Sequence, residues 1–237
     1  MIITYLGQSG FLLEDNSKYI LFDYYTGQIP PLNPEKDLYI FVSHAHHDHY
    51  NRDIWTIRKI HPQVTYIVSK DVPLSASQKL RLGLTGQDDE RIVRVKANES
   101  FKLSPEISVE TLLSTDEGVA FIVTSGNQTI FHAGDLNLWT WPGDEEEKNE
   151  VRRKRFMVEM EKIRGRFFDI AFFPLDPRQE EDCGKGMQIF QQITNTANLF
   201  PMHGWGKIGV IHSYLEKYPE ESNHIIILEY EGQAVEI

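Results

Sequence analysis

A single cysteine, Cys183, stands in the whole chain, so no intrachain disulfide can form and a thiolate-rich zinc site is excluded. Its neighbours in Glu181-Asp182-Cys183-Gly184 are acidic, which disfavours a thiolate, and Cys183 reads as inert. Positive charge is scarce as well: 24 Lys and Arg against 35 Asp and Glu give a net charge of −11. That balance argues against nucleic acid as a partner, because phosphate neutralisation needs a basic surplus. Cations bound to some of the carboxylates would offset part of the negative field. No apolar run approaches the roughly 18–20 residues that cross a bilayer, so no membrane partner is expected. The opening Met1-Ile-Ile-Thr-Tyr-Leu lacks the basic segment and cleavage site of a secretory signal, and the expected compartment is cytoplasmic. Internal repeats, low-complexity tracts and linkers are absent too, and nothing speaks for a particular oligomeric state. The expectation is one domain over residues 1–237.

What the chain does contain is a globular composition, 41% hydrophobic and 25% charged, that can bury a sizeable core. Ile2–Leu6, Phe11–Glu14 and Tyr19–Phe22 read as an antiparallel meander. Leu38–Val42 is a continuous β-rich apolar run, the mark of a buried strand, and Thr65–Ser69 repeats it. Between them Asn51 can cap a helix over Arg52–Lys59. Asp71–Arg81 reads as helical with Pro73 in its first turn. Strands follow at Ile92–Val95, Ile107–Leu113, Val119–Thr124 and Thr129–Phe131, with a hairpin signal at Gly126-Asn127. Residues 144–163 form a charged helix with Phe156, Met160 and Ile163 on one stripe and a Glu150–Lys154 pair. Its basic run Arg152-Arg153-Lys154-Arg155 reads as a solvated face balanced by the preceding acids. Asp169–Phe173 and Leu199–Met202 are further strands, Gly184–Thr196 and Lys207–Lys217 helices, and Ile225–Tyr230 a closing strand. Two strand-rich stretches with helices outside suggest a mixed α/β (α+β) sandwich of two sheets.

The chemistry concentrates in His44-Ala45-His46-His47-Asp48-His49, directly after a buried strand and before a helix. Alternate residues of an extended segment point the same way, so His44 and His46 can reach one ion together. The turn towards Asn51 can bring Asp48 and His49 round to a neighbouring position. Imidazole and carboxylate suit Zn²⁺, one or two per chain, with Mn²⁺ or Fe²⁺ also compatible.

His-x-His-x-Asp-His after a buried strand resembles the signature of the metallo-β-lactamase superfamily, whose fold is an αββα four-layer sandwich. Later landmarks fall in the family's order. Phe131-His-Ala-Gly-Asp135 resembles the strand end whose carboxylate bridges two metals, and Pro201-Met-His203-Gly the strand end with a late metal histidine. Leu21-Phe-Asp23 resembles the strand-end aspartate that supports the site from behind its ligands. The resemblance implies that His44, His46 and Asp135 hold one metal and Asp48, His49, Asp135 and His203 the other, with His47 as a variable position. One family histidine is missing: Leu113-Ser114-Thr115-Asp116 has none, Ser114 stands near its place, and Asp116 and His132 are candidate substitutes.

The implied activity is that of a metal-dependent hydrolase using a metal-bound hydroxide on a small-molecule ester, lactone or phosphodiester. Asp48 would orient the water or act as base, and His132 could protonate the leaving group. The same site serves many chemistries. The alternatives are a nuclease of the tRNA-processing type and a non-catalytic metal-binding or sensing protein of the same fold. Trp139-Thr-Trp141-Pro-Gly is expected to form a wall or lid of the pocket.

Overall fold

The computed structural model describes residues 1–237 and divides by contacts into two compact units, Met1–Lys96 with Tyr230–Ile237, and Ala97–Glu229. The first unit carries a seven-stranded sheet and the second a six-stranded one.

In the first sheet Ile2–Gly7, Gly10–Glu14 and Lys18–Phe22 form the expected antiparallel meander. From Lys18–Phe22 onward every pairing is parallel, through Asp37–Val42 and Val64–Ser69 to Ile92–Val95. Parallel strands are covered on both faces, and Asp37–Val42 accordingly buries every residue after Asp37. Leu21, Leu38, Ile40, Val42, Trp55 and Tyr66 belong to the core on one side. Because the three inner parallel strands run in register, their carboxyl ends fall on one edge of the sheet. Asp23 and Ser43 with His44 follow their strand ends directly, and Asp71 lies two residues past Ser69. Polar groups past the carboxyl ends of parallel strands are where open α/β sheets build their sites.

The second sheet repeats the device. Gln128–His132, Phe167–Pro174 and Asn195–Met202 are neighbouring parallel strands, and past their ends come Asp135, Asp176 and His203. The remaining strands, Val119–Ser125, Ile107–Leu113 and Ser100–Lys102, join antiparallel through the Gly126-Asn127 hairpin and two further turns. Phe131, Phe168, Phe173 and Phe190 stack at centroid distances of 4.8–5.2 Å beneath these strands. The charged helix runs over Glu146–Glu161, shorter than the expected 144–163; its Phe156 and Met160 are fully buried, as is Ile163 in the turn that follows.

Several elements differ from the sequence expectation, each for a local reason. Arg52–Lys59 is a 3₁₀ helix, although Asn51 does cap it by accepting from the Asp53 amide. The helix drawn from Asp71 begins only at Ala76, because a residue before proline avoids the helical region and Ser75 then supplies a capping box with Gln78. Thr194 ends the helix Lys185–Ile193 by turning its amide and hydroxyl back to the Phe190 carbonyl, and the chain enters Asn195–Met202 at once. The helix drawn from Lys207 is confined to Val210–Lys217. Ile225–Tyr230 is not a strand. Its Ile225 makes one bridge with Leu199, and the edge strand is Ala234–Glu236. No helix is long and apolar enough to cross a membrane.

Candidate metal centre

The first unit assembles its ligand candidates around one buried carboxylate. Asp23 is fully buried, with φ of 39°, a left-handed conformation that aspartate tolerates better than most residues. It accepts three hydrogen bonds: from the Ser43 amide at 2.7 Å, the Ser43 hydroxyl at 2.5 Å, and His49 Nδ1 at 2.7 Å. Since the Ser43 hydroxyl donates to Asp23, it accepts from His44 Nδ1, 2.9 Å away. One carboxylate thereby fixes two imidazoles, His49 directly and His44 through Ser43. Both rings carry their proton on Nδ1 and present Nε2 as the lone-pair atom, the tautomer that a carboxylate-supported metal ligand needs.

The loop itself is clasped from two sides. Asp71 accepts from the Ala45 amide at 2.7 Å, and the amides of His49 and Tyr50 turn back to the His46 carbonyl. This turn brings the His49 ring to 4.2 Å and the His46 ring to 4.6 Å from His44, between centroids. Asp48 Oδ2 lies 3.6 Å from His49 Nε2 and takes a 3.3 Å hydrogen bond from the buried amide of Gln8. His46 and His47 are the exposed members, and His47 packs edge-on against Tyr25.

The second unit has a matching pair. Asp176, fully buried, accepts from His203 Nδ1 at 3.0 Å and from Trp205 Nε1 at 3.3 Å, while Arg178 clamps both its oxygens. Burial alone would raise this carboxyl, but hydrogen bonds from His203 and Arg178 outweigh it and bring the value down to about 2. His203 presents Nε2 at 3.3 Å from Asp135 Oδ1. It holds φ of 66°, a conformation costly for a residue with a side chain and characteristic of functional positions.

These spacings can be tested against a metal's requirements. A neutral imidazole whose proton sits on Nδ1 meets a carboxylate with lone pair facing lone pair. Either a second proton or a cation must lie between them. Tetrahedral ligands bonded at about 2.0–2.1 Å sit roughly 3.3–3.4 Å from one another. The His203–Asp135 and His49–Asp48 separations of 3.3 and 3.6 Å fit that figure. The donor set therefore suits a divalent ion.

Around Asp135 the second unit adds further groups. Where the family histidine is absent, Ser114 is buried and its hydroxyl accepts from the Asp116 amide at 3.2 Å. That turn presents the exposed Asp116, whose carboxylate oxygen lies within 4.8 Å of one on Asp135. Thr115 ties the turn to Asn137 by two hydrogen bonds of 2.6 and 3.0 Å. His132 is fully buried against Phe172, and its Nδ1 accepts from the Gly134 amide at 3.2 Å. Its tautomer is thus opposite to that of the other three rings. Thr115, Asp116 and Asp135 open onto a cleft of about 420 Å³ whose far wall includes Trp139 and Trp141.

Three contributors escaped the sequence reading: Gln8, Ser43 and Asp176. Asp176 follows a buried strand just as Asp23 does, and that placement was an available signal. A lone serine beside a histidine and a glutamine in a glycine turn carry none.

Strand-end imidazoles and carboxylates on two mixed sheets define a metallohydrolase-type scaffold. A model of the beta-lactamase superfamily domain matches residues 20–179, and the chain belongs to that superfamily. The match includes His44 to His49, Asp135 and Asp176, while His203 lies beyond it. A protein of Heliobacterium modesticaldum named a metal-dependent hydrolase is 25% identical over 215 residues, 85% of this chain and 81% of that one. A similarly named protein of Nanoarchaeum equitans is 28% identical over 146 residues, 59% of this chain and 62% of its own length. The chain thus spans less than two thirds of that relative. Among solved structures, Igni18, a metallo hydrolase from Ignicoccus hospitalis, superposes with a TM-score of 0.59 at 16% identity. That comparison covers 99% of this chain and 97% of Igni18. The likeness establishes the two-sheet α/β fold of the metallo-β-lactamase type.

Proposed function

We propose that the protein is a metal-dependent hydrolase of small molecules, acting on an ester, lactone or phosphodiester bond. His44, His46, Asp48, His49, Asp135 and His203 would be the ligands of one or two divalent ions, with zinc favoured by the donor set and Mn²⁺ or Fe²⁺ compatible. Asp116 takes the place of the absent histidine. The observation that carries the reading is the shared contact of His44, His49 and His203 through Nδ1, each met from behind by a buried carboxylate or its serine relay. Such support orients metal ligands and raises their basicity.

A bound divalent cation supplies a water acidified to near neutrality and a Lewis acid for the scissile carbonyl or phosphoryl group. Asp48, which accepts a hydrogen bond from Gln8, would orient the attacking water or act as its base. His132 keeps its proton on Nε2, because Nδ1 accepts from Gly134. Its hydrogen bond shapes the turn that presents Asp135, and the Nε2 proton is the one His132 would give to the leaving group. Trp139 donates to the Asp135 carbonyl at 2.8 Å and steadies the same turn from the cleft side.

The test is metal analysis of the purified protein, joined to a screen of chromogenic phosphodiesters, aryl esters and lactones. About two metals per chain and turnover abolished in His46→Ala are the expected results. One tightly held metal with no turnover on any of the three classes would replace the enzyme by a binding protein. RNA cleavage whose binding weakens steeply with salt would instead favour the nuclease.

A further inference from the structure

The cleft beside Asp135 is lined by an unusual mixture for so acidic a chain. Against a net charge of −11, three arginines, Arg152, Arg155 and Arg178, face the same opening as Asp135 and two tryptophans. The basic run on the charged helix therefore divides by face. Arg153 and Lys154 both lie against Glu150, at 2.6 and 3.7 Å, the solvated role expected of the whole run. Arg152 and Arg155 turn to the cleft. Arg152 is partly neutralised by Asp144 at 2.5 Å, and Arg178 is committed to Asp176. Arg155 is exposed and has no carboxylate partner, so its charge is available to a ligand.

The aromatic wall is preformed. The Trp139 and Trp141 rings lie 11° from parallel with centroids 6.1 Å apart. Trp139 is pinned by its indole hydrogen bond to the Asp135 carbonyl. Trp141 is held by Asn149, which bonds both its backbone amide and its carbonyl, at 3.2 and 3.1 Å. A wall fixed in this way loses little entropy when a flat group packs on it. The volume of about 420 Å³ falls within the range of small-molecule sites.

We propose that this cleft is the substrate-recognition site, and that it selects a small molecule bearing a planar unsaturated ring and an anionic group. The ring packs on Trp139 and Trp141, the anion pairs with Arg155, and the bond to be cleaved lies at the Asp135 end. Placing the reacting end there rests on the hydrolase reading above. Recognition of ring and charge does not.

Naphthalene-2-sulfonate is a suitable probe, since a sulfonate is a poor metal ligand and nothing in the molecule can be hydrolysed. Calorimetric titration of the metal-loaded protein at fixed salt compares it with methanesulfonate, which lacks the ring, and 2-naphthol, which lacks the charge. The expected result is binding at least tenfold tighter than either control. Arg155→Glu should weaken the sulfonate at least tenfold and leave 2-naphthol within twofold, while Arg155→Lys retains most of the affinity. Arg155 is exposed, so none of these variants threatens folding. Equal affinities for sulfonate and naphthol, or a sulfonate affinity untouched by Arg155→Glu, would overturn the assignment. Arg155-dependent binding in a protein that turns over nothing would support this cleft while refuting the hydrolase. Turnover of neutral substrates with no such binding would do the reverse.

Discussion

Asp23 offers the sharpest test of the metal ligation proposed for the first unit. It accepts three hydrogen bonds while fully buried, and Asp23→Asn must place an amide group where one oxygen stood. At the Oδ2 position the NH₂ would face two donors, the Ser43 hydroxyl and His49 Nδ1. At the Oδ1 position it faces the Ser43 amide alone. The second orientation costs less, yet it still leaves one buried donor against another and removes the charge, about 1–3 kcal/mol. Loss of such support typically lowers metal affinity about 10- to 100-fold per imidazole. Asp23 sets two rings, so Asp23→Ala should lose about 100-fold or more, whereas Asp176→Ala, which frees only His203, should lose less. Ser43→Ala cuts only the relay to His44 and should fall near tenfold. Competition for Zn²⁺ against a chromogenic chelator measures all four variants, with melting of the metal-free proteins checked first. An Asp23→Ala affinity within threefold of the parent, or a Ser43→Ala loss as large as that of Asp23→Ala, would refute the shared-carboxylate account.

Other consequences are independent of that one. Asp116→Ala should lower the number of metals bound at limiting zinc, measured by elemental analysis after dialysis, and Asp116→His should restore it. Unchanged stoichiometry in Asp116→Ala would leave the place of the missing histidine unfilled. Burial, reinforced by Asp176, pushes the Cys183 thiol up to about 12, so it stays protonated at pH 8. Labelling by a thiolate-specific disulfide reagent at that pH should be at least about 100-fold slower than in denaturant. Gly27 has φ of +80°, and a Cβ there would lie 2.1 Å from the Leu6 carbonyl oxygen. Gly27→Ala should therefore destabilise the protein by about 1–3 kcal/mol in urea unfolding.

How much of this was legible in the sequence depended on whether a group announces itself by pattern. Buried parallel strands did, because Leu38–Val42 and Asp169–Phe173 are unbroken apolar runs that have no amphipathic alternative. The ends of such runs were legible too: His44 stands out by the density of its cluster, whereas Asp23, Asp135 and His203 at other strand ends are singled out only by the family resemblance. Helix limits were less so. Thr194 and Pro73 shorten two helices through hydrogen bonding and sterics that periodicity does not register. The run Ile225–Tyr230 looks like a strand by composition, but only Ile225 bridges to a strand; Ile225 and Leu228 are buried while Ile227 and Tyr230 stay exposed. Ser43 and Gln8 carry no pattern of their own, and the strand-end Asp176 does not show which histidine it supports, because support is a relation between distant residues: Asp23 and His49 are 26 positions apart, Asp176 and His203 27.

The basic run of the charged helix shows the same limit from the other side. Four consecutive cationic residues spread around a helix, so they cannot share one environment. Reading Arg152 to Arg155 as a single solvated patch averaged over two faces, one balanced by Glu150 and one turned to the cleft. The same geometry explains how so acidic a chain can still favour an anion. The acids that pair the outer face leave Arg155 unopposed on the inner one, where its guanidinium shares a cleft with two tryptophans and Asp135 and acts at short range. Net charge governs the far field, which salt screens beyond about 10 Å, whereas the cleft's selectivity is set within hydrogen-bonding distance. Charge reversal outside the cleft lining, at Glu146 or Glu150, should therefore alter the salt dependence of ligand association and leave the preference for naphthalene-2-sulfonate over 2-naphthol in place. A preference that tracks total charge, and not Arg155, would show that the field of the whole chain decides recognition.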